Sequence, residues 1–173
     1  MAVRLKNGEI MIHKVEGDIL LSKAQAIVHG VGVNDPMDKG LALKIRNKYP
    51  SLQKDLNRWC HQHNTLPGEA WMWVGQDNVR IVNLITHERM ECNDHHYDKA
   101  TLSNIRHALT ALVKMIAFEK LTSIALPRIG TGLGDLDWDD VWPLIENILG
   151  GLEIPVYVYV VYHPGQAADE LGV

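Results

Sequence analysis

A chain of 173 residues with 46% hydrophobic content is long enough for one domain with a full core and ordinary for a globular protein. No apolar run has the length of a membrane span, Met1 to Gly8 lack the apolar stretch of a secretory signal, and two cysteines, Cys60 and Cys92, are too few for a disulfide framework, so no membrane partner and a reduced, cytoplasmic setting are expected. The formal net charge of −4 and the lack of a basic block argue against broad duplex binding, so backbone N–H groups and helix ends would have to hold an anionic ligand.

In chain order, Glu9 to Val15 alternates and reads as a strand closed by Glu16-Gly17-Asp18. Ala26 to Gly30 is a short apolar strand, followed by a loop from Val31 to Lys39 with Asn34-Asp35-Pro36 as its turn signal. Leu41, Ala42, Ile45 and Tyr49 have helical spacing up to Pro50, and Leu52, Leu56 and Trp59 mark a second helix. Strands are expected at Glu69 to Val74 and Val79 to Ile85, the latter buried on both faces. Leu102, Ile105, Leu109, Leu112 and Ile116 make one stripe of a helix from about Asp98 to Lys120. Ser123 to Leu126 is the next strand. Asp137 is a plausible N-cap for a helix that Gly150-Gly151 stops, Val156 to Val161 is a last strand, and the tail after Pro164 should fray. Alternating strands and helices predict a single α/β domain with a mixed sheet and helices on both faces. In such sheets ligands sit beyond the carboxyl ends of strands, so the loops Gly30 to Gly40, Thr86 to Tyr97 and Pro127 to Asp137 are expected to share one cleft.

Two of those loops are suited to phosphate. Pro127 to Trp138 carries Gly130, Gly132 and Gly134 at alternate positions between a strand and a helix, which lets the backbone approach a ligand and turn its N–H groups toward an anion. It reads equally as a glycine-rich surface turn. Gly30 to Ala42 runs from a strand into a helix opening near Lys39-Gly40-Leu41, again either an anion cradle or a plain connection. Together they suggest a diphosphate. There is no Gly-x-x-x-x-Gly-Lys-Ser/Thr, and the late Gly-x-Gly-x-Gly lacks the acidic residue of a dinucleotide fold. Cys60-His61-Gln62-His63 and Cys92-Asn93-Asp94-His95-His96 lack zinc-ligand spacing, so neither metal nor cofactor is expected.

Glu16 to Leu20, Val28 to Gly32, Met37 to Ala42 and Pro127 to Trp138, in that order across about residues 10–161, resemble the motif series of a macrodomain. Asn83-Leu84-Ile85-Thr86 and Pro-Arg-Ile-Gly-x-Gly-Leu are most similar to the branch with the human terminal ADP-ribose glycohydrolase and the bacterial antitoxin macrodomains. The resemblance implies a three-layer α/β/α fold with a central mixed sheet. It also implies a ligand, ADP-ribose or the ADP-ribosyl group of a protein or nucleic acid. Asp18, with the Ile19 backbone, would read the adenine amino group. Gly32, Met37, Asp38, Lys39, Gly40 and Leu41 on one side, and Ile129, Gly130, Thr131, Gly132 and Leu133 on the other, would hold diphosphate and distal ribose. Tyr159 would flank the adenine. Asp18 also reads as a turn residue, and Tyr159 as a half-buried strand tyrosine.

Two positions depart from that branch. A lysine nucleophile is expected after the Leu-x-Thr strand end, and His87 stands there. An acid is expected after Gly-Leu, and Gly134 stands there with Asp135 one place later. Hydrolysis of an ADP-ribosyl linkage would then use His87 or Asp135 to activate water. His29, at the end of its strand, is a further candidate and would suit a phosphatase on ADP-ribose 1″-phosphate. A module that binds ADP-ribose without turnover is the other alternative.

Overall fold

The computed structural model describes residues 3–4, 10–88 and 99–172. Among them, β1 (Val3–Arg4), β2 (Ile10–Gly17), β3 (Ala26–Gly32), β4 (Ala70–Val74), β5 (Arg80–His87), β6 (Ile124–Pro127) and β7 (Val156–Tyr162) form one sheet in the order β1-β2-β7-β6-β3-β5-β4. The outer pairs β1/β2 and β4/β5 are antiparallel, and every pair between them is parallel. The sheet is therefore mixed, with a parallel centre that must be covered on both faces.

Side chains alternate across the central strands with a period of two. Ala26 and Val28 of β3, Val82 and Leu84 of β5, Ile124 and Leu126 of β6, and Val156 and Val158 of β7 face one core. Helices α3 (Leu102–Glu119) and α4 (Trp138–Leu149) cover it with Ile105, Leu109, Leu112, Val141, Ile145 and Leu149. On the opposite face Ile27, Val31, Ile81, Ile85, Ala125, Tyr157 and Tyr159 meet Ile45 of α1 (Gly40–Lys48) and Leu52, Leu56 and Cys60 of α2 (Pro50–His63). The result is a three-layer α/β/α fold.

Local signals account for the starts of three helices. The Asp137 carboxylate accepts from Asp139 N at 2.9 Å as the N-cap of α4, and Thr101 accepts from Asn104 N at 3.1 Å at the start of α3. That cap starts α3 at Leu102, later than the expected Asp98, which lies outside the described residues. Pro50, expected only to end a helix, opens α2 at its first position, where no N–H is needed. The short strand β1 had no signal that sequence patterning could read, whereas the 3₁₀ turn Ile19–Leu21 starts at Asp18, whose carboxylate accepts from Leu20 N at 3.1 Å in the turn role also read for it.

The tail is a correction. Asp18 N donates to Gln166 O at 2.7 Å, Gly165 N donates to Asp18 Oδ2 at 3.0 Å, and Glu170 accepts from Ser22 Oγ at 2.6 Å and from Lys23 N at 2.7 Å. The Tyr157 hydroxyl also donates to Leu171 O. Residues 163–171 thus form a strap over the end of β2, held by polar contacts far apart in sequence.

The site is positioned by a split in the sheet. β3 pairs with β6 only at Ala26↔Ile124 and Ile27↔Ala125. Beyond that level β3 continues beside β5 to Gly32↔His87, while β6 stays with β7 to Pro127↔Tyr159. A cleft opens at the carboxyl ends of the strands where they part.

Candidate functional site

His29 and Gly30 of β3 and Thr86 and His87 of β5 form the cleft floor. One wall is Asp38, Lys39 and the first turn of α1; the other is the loop from Pro127 to Gly134. A second pocket, lined by Ile19, Lys44, Tyr159 and Tyr162, shares Gly40, Leu41 and Pro127 with the first. The two are therefore one continuous groove, glycine-rich at one end and aromatic at the other.

The first wall is organised by Asp35. One carboxylate oxygen accepts from Gly32 N at 2.8 Å and the other from Met37 N at 2.7 Å. Met37 has a positive φ of 52° and a fully buried side chain, so its strained backbone is held by burial and by Asp35 together. The chain then enters α1 with no side-chain cap, and the first-turn residues Gly40, Leu41 and Ala42 line the cleft. An uncapped helix start presents N–H groups and the positive end of the helix dipole.

The second wall is made by glycines. Gly130 has φ +77°, and its carbonyl accepts from Leu136 N at 2.9 Å. A Cβ at Gly134 would lie 2.5 Å from Gly130 O and 2.9 Å from Ala100 Cβ, so no side chain fits there. A Cβ at Gly132 or Gly40 would meet nothing within 4 Å, so at both places bare backbone borders open space.

His87 lies between the walls. Its Nδ1 is 3.0 Å from Thr86 Oγ1 and its Nε2 is 3.7 Å from Asp35 Oδ2. A Cβ on Gly32 would be 2.6 Å from that Nε2, so the imidazole fills the space of the side chain that Gly32 lacks. His29 is buried, with Nε2 2.7 Å from Asn83 Oδ1, and burial pushes its pKa below the usual histidine value despite the opposing effects of Asn83 and Asp35. At the other end of the groove, burial raises the Tyr159 phenol well above the usual tyrosine range, and its hydroxyl makes no hydrogen bond of good geometry although Ser22 and Glu170 are near. Tyr162 is half exposed and carries Lys44 Nζ over its ring at 3.7 Å from the centroid.

The expected site residues divide accordingly. His29, Asp38, Lys39, Gly40, Leu41 and His87 share the cleft with Ile129, Gly130, Gly132 and Leu133, and Ile19 and Tyr159 border the aromatic end. Asp18, Gly32, Met37 and Thr131 shape the surroundings without lining either pocket. Asp18 accepts from Leu20 N at 3.1 Å and from Gly165 N, and Thr131 turns back to Arg128 O at 2.8 Å. Asp135 is also outside the lining: it is exposed, has φ +58°, and pairs with Lys99 Nζ at 2.8 Å, which lowers its pKa. Sequence reading missed Asp35, which it saw only as a turn residue, and Tyr162, Lys44 and Arg128. The Cys92 to His96 cluster lies outside the described residues, among which no three metal-ligating side chains come together. Among the same residues no helix is long and apolar enough to cross a membrane.

Comparison with known proteins gives a consistent set of likenesses. A family model described as Macro domain matches residues 12–145. A DNA ADP-ribosyl transferase–DNA ADP-ribosyl glycohydrolase fusion protein of Thermosipho africanus is 27% identical over 173 aligned positions, which cover 90% of this chain and 44% of the relative. The chain therefore spans less than half of that protein. The human ADP-ribose glycohydrolase OARD1 is 27% identical over 146 positions, covering 84% of this chain and 88% of the relative. Among solved structures, the macrodomain of Thermus aquaticus DarG superposes with a TM-score of 0.75 at 28% identity, covering 87% of this chain and 98% of that one.

Proposed function

From the premise that this chain belongs to the Macro domain family, we propose that its groove binds ADP-ribose along its length and that the protein hydrolyses an ADP-ribosyl linkage. The observation that carries the reading is the continuity of the groove through Gly40, Leu41 and Pro127, with an aromatic end, an uncapped helix start and a glycine loop in that succession. A ligand with a purine, a diphosphate and a second ribose has the same succession of chemistry. Two of the relatives above carry ADP-ribosyl or ADP-ribose glycohydrolase in their names, which supports the same ligand.

In this reading Ile19, Leu41, Tyr159 and Tyr162 enclose the adenine. Asp18 lines neither pocket and its oxygens accept from Leu20 N and Gly165 N, but each keeps a lone pair, with which it would accept from the adenine amino group beside Ile19. The first-turn N–H groups of α1 and the backbone from Ile129 to Leu133 take the diphosphate, as a helix start and a glycine turn do for other anions. The distal ribose then lies over Gly30 and beside His87. A water attacks the anomeric carbon, His87 takes its proton, the bond from that carbon to the modified group breaks with its electron pair leaving on that group, and the imidazolium returns the proton to it, giving free ADP-ribose and the unmodified group. Asp35, 3.7 Å from His87, stabilises the imidazolium that results.

A binding module without turnover is the second reading. Asp135 lies outside the cleft lining, and both His87 nitrogens already have protein neighbours. Incubating the full chain with ADP-ribosylated DNA, ADP-ribosylated protein and ADP-ribose 1″-phosphate separates the cases. Release of ADP-ribose from a macromolecule, lost in His87→Ala, supports the hydrolase. Binding of ADP-ribose with all three substrates unchanged supports the module, and phosphate release identifies a phosphatase. No binding of ADP-ribose in calorimetry overturns the ligand itself.

A further inference from the structure

The strap at residues 163–171 holds one element of the groove at both of its ends. That element is the 3₁₀ turn Ile19–Leu21, whose Ile19 lines the aromatic pocket with Gly17, Tyr159 and Tyr162. At the start of the turn, Asp18 N donates to Gln166 O at 2.7 Å. The Asp18 carboxylate accepts from Leu20 N at 3.1 Å on Oδ1 and from Gly165 N at 3.0 Å on Oδ2, so the turn fixes one oxygen and the strap the other. Just past the end of the turn, Glu170 accepts from Ser22 Oγ at 2.6 Å on Oε2 and from Lys23 N at 2.7 Å on Oε1. The Tyr159 hydroxyl stands beside Ser22 and Glu170 as well. Glu170 lines neither pocket, so any effect it has on a ligand passes through this turn and Tyr159.

The strap depends on these polar contacts. Its residues are exposed or half-buried, and among them Ala168 is the one that packs against a core cluster. The fit is nevertheless close: a Cβ at Gly17 would lie 2.8 Å from Ala168 N and 2.8 Å from Gln166 O, so the strap rests on bare backbone. A segment with few apolar contacts opens at a lower free energy than the whole fold. A ligand that binds only when the turn is held therefore stabilises the closed strap, and the closed strap strengthens ligand binding by the same factor.

We propose that residues 163–171 are a clasp for the purine end of the groove, with Glu170 as the positioning residue that fixes the segment from Asp18 to Lys23 so that Asp18 and Ile19 can read the purine. This rests on the reading that the groove takes ADP-ribose with its adenine at the aromatic end.

The test uses the full chain with ADP-ribose and with its inosine analogue, in which a carbonyl oxygen replaces the adenine amino group. In native-state amide exchange, saturating ADP-ribose should slow the Lys23 and Gly165 N–H groups, which the clasp holds, about tenfold. In calorimetry, Glu170→Ala should weaken ADP-ribose about tenfold and the inosine analogue less, so that the preference for ADP-ribose shrinks. Glu170→Gln, which keeps one accepting oxygen, should fall between the alanine variant and the unaltered chain. A clasp that served stability alone would lower both ligands equally in Glu170→Ala. That result overturns the proposal, as does an unchanged ADP-ribose affinity in Glu170→Ala, exchange that ADP-ribose leaves as it was, or an unaltered chain that binds both ligands alike. Each of these leaves ADP-ribose binding standing, whereas failure of the unaltered chain to bind ADP-ribose overturns both. If Glu170→Ala does not fold, Ser22→Ala, which removes one donor to Glu170, should shift the preference in the same direction by a smaller factor, and exchange in the unaltered chain decides beside it.

Discussion

Between β3 and α1 the chain turns around a side chain, whereas between β6 and α4 it turns around glycines. In the first loop the Asp35 carboxylate collects the N–H groups of Gly32 and Met37, and a buried Met37 anchors the bend. In the second, Gly130 takes a positive φ, Gly134 leaves room for its carbonyl, and backbone bonds from Leu136 and Asp135 close the turns. Both present backbone to the same cleft. The first should be vulnerable to the loss of atoms, the second to their addition.

The largest effect is expected where atoms are added. Gly134→Asp would place an acid where the likeness to glycohydrolases leads one to expect it, yet its Cβ would be 2.5 Å from a backbone oxygen. Such overpacking costs about 3 kcal/mol, and Gly134→Ala should cost nearly as much because the clash is at Cβ. Urea unfolding measures both. A loss below about 1 kcal/mol in either variant would show that the loop yields, and the contrast between the walls would then fail. Restoring the acid alone is therefore not expected to improve turnover.

A smaller effect is expected where atoms are removed. Asp35→Ala strips the acceptor from two N–H groups and should cost about 2 kcal/mol. Asp35→Asn keeps one oxygen and should cost about half of that. ADP-ribose affinity should fall in the same order, because the wall that leads into α1 loses its shape. If calorimetry finds Asp35→Ala binding as tightly as the unaltered chain, the loop is held by Met37 and the carboxylate is dispensable.

The two walls also differ in how far the sequence discloses them. The apolar runs Ala26 to Gly30 and Val156 to Val161, the stripe of α3 and the N-cap Asp137 are local patterns, and the structure follows them with a strand, a strand, a helix and a cap. The glycine loop is nearly as legible, because alternating glycines state directly that side chains are excluded. Asp35 is not. A turn aspartate looks the same whether its carboxylate meets solvent or two backbone N–H groups, and only the folded loop shows that His87 stands 3.7 Å away. The strap at 163–171 was illegible for a related reason. Its partners, Asp18, Ser22 and Lys23, lie at the opposite end of the chain. Tyr162 and Lys44 come together from β7 and α1, which no spacing predicts.

The smallest effect is expected at Asp135, the residue that sequence reading put forward to replace the missing acid. It follows Gly134 with φ +58°, a conformation glycine adopts more readily, and its carboxylate reaches Lys99 in solvent. An exposed ion pair contributes little to stability, because water screens it and two mobile side chains must be held. Asp135→Ala and Asp135→Gly should therefore leave the unfolding midpoint and the ADP-ribose affinity where they are, with the glycine variant no less stable than the alanine. The decisive measurement is turnover. If an ADP-ribosyl substrate is hydrolysed, the rate should be lost in His87→Ala and kept in Asp135→Ala, since His87 lines the groove and Asp135 does not. A rate that falls tenfold or more in Asp135→Ala would mean that the glycine wall rearranges around substrate. The wall built on backbone would then be the mobile one, and the Asp35 wall the fixed frame against which it closes.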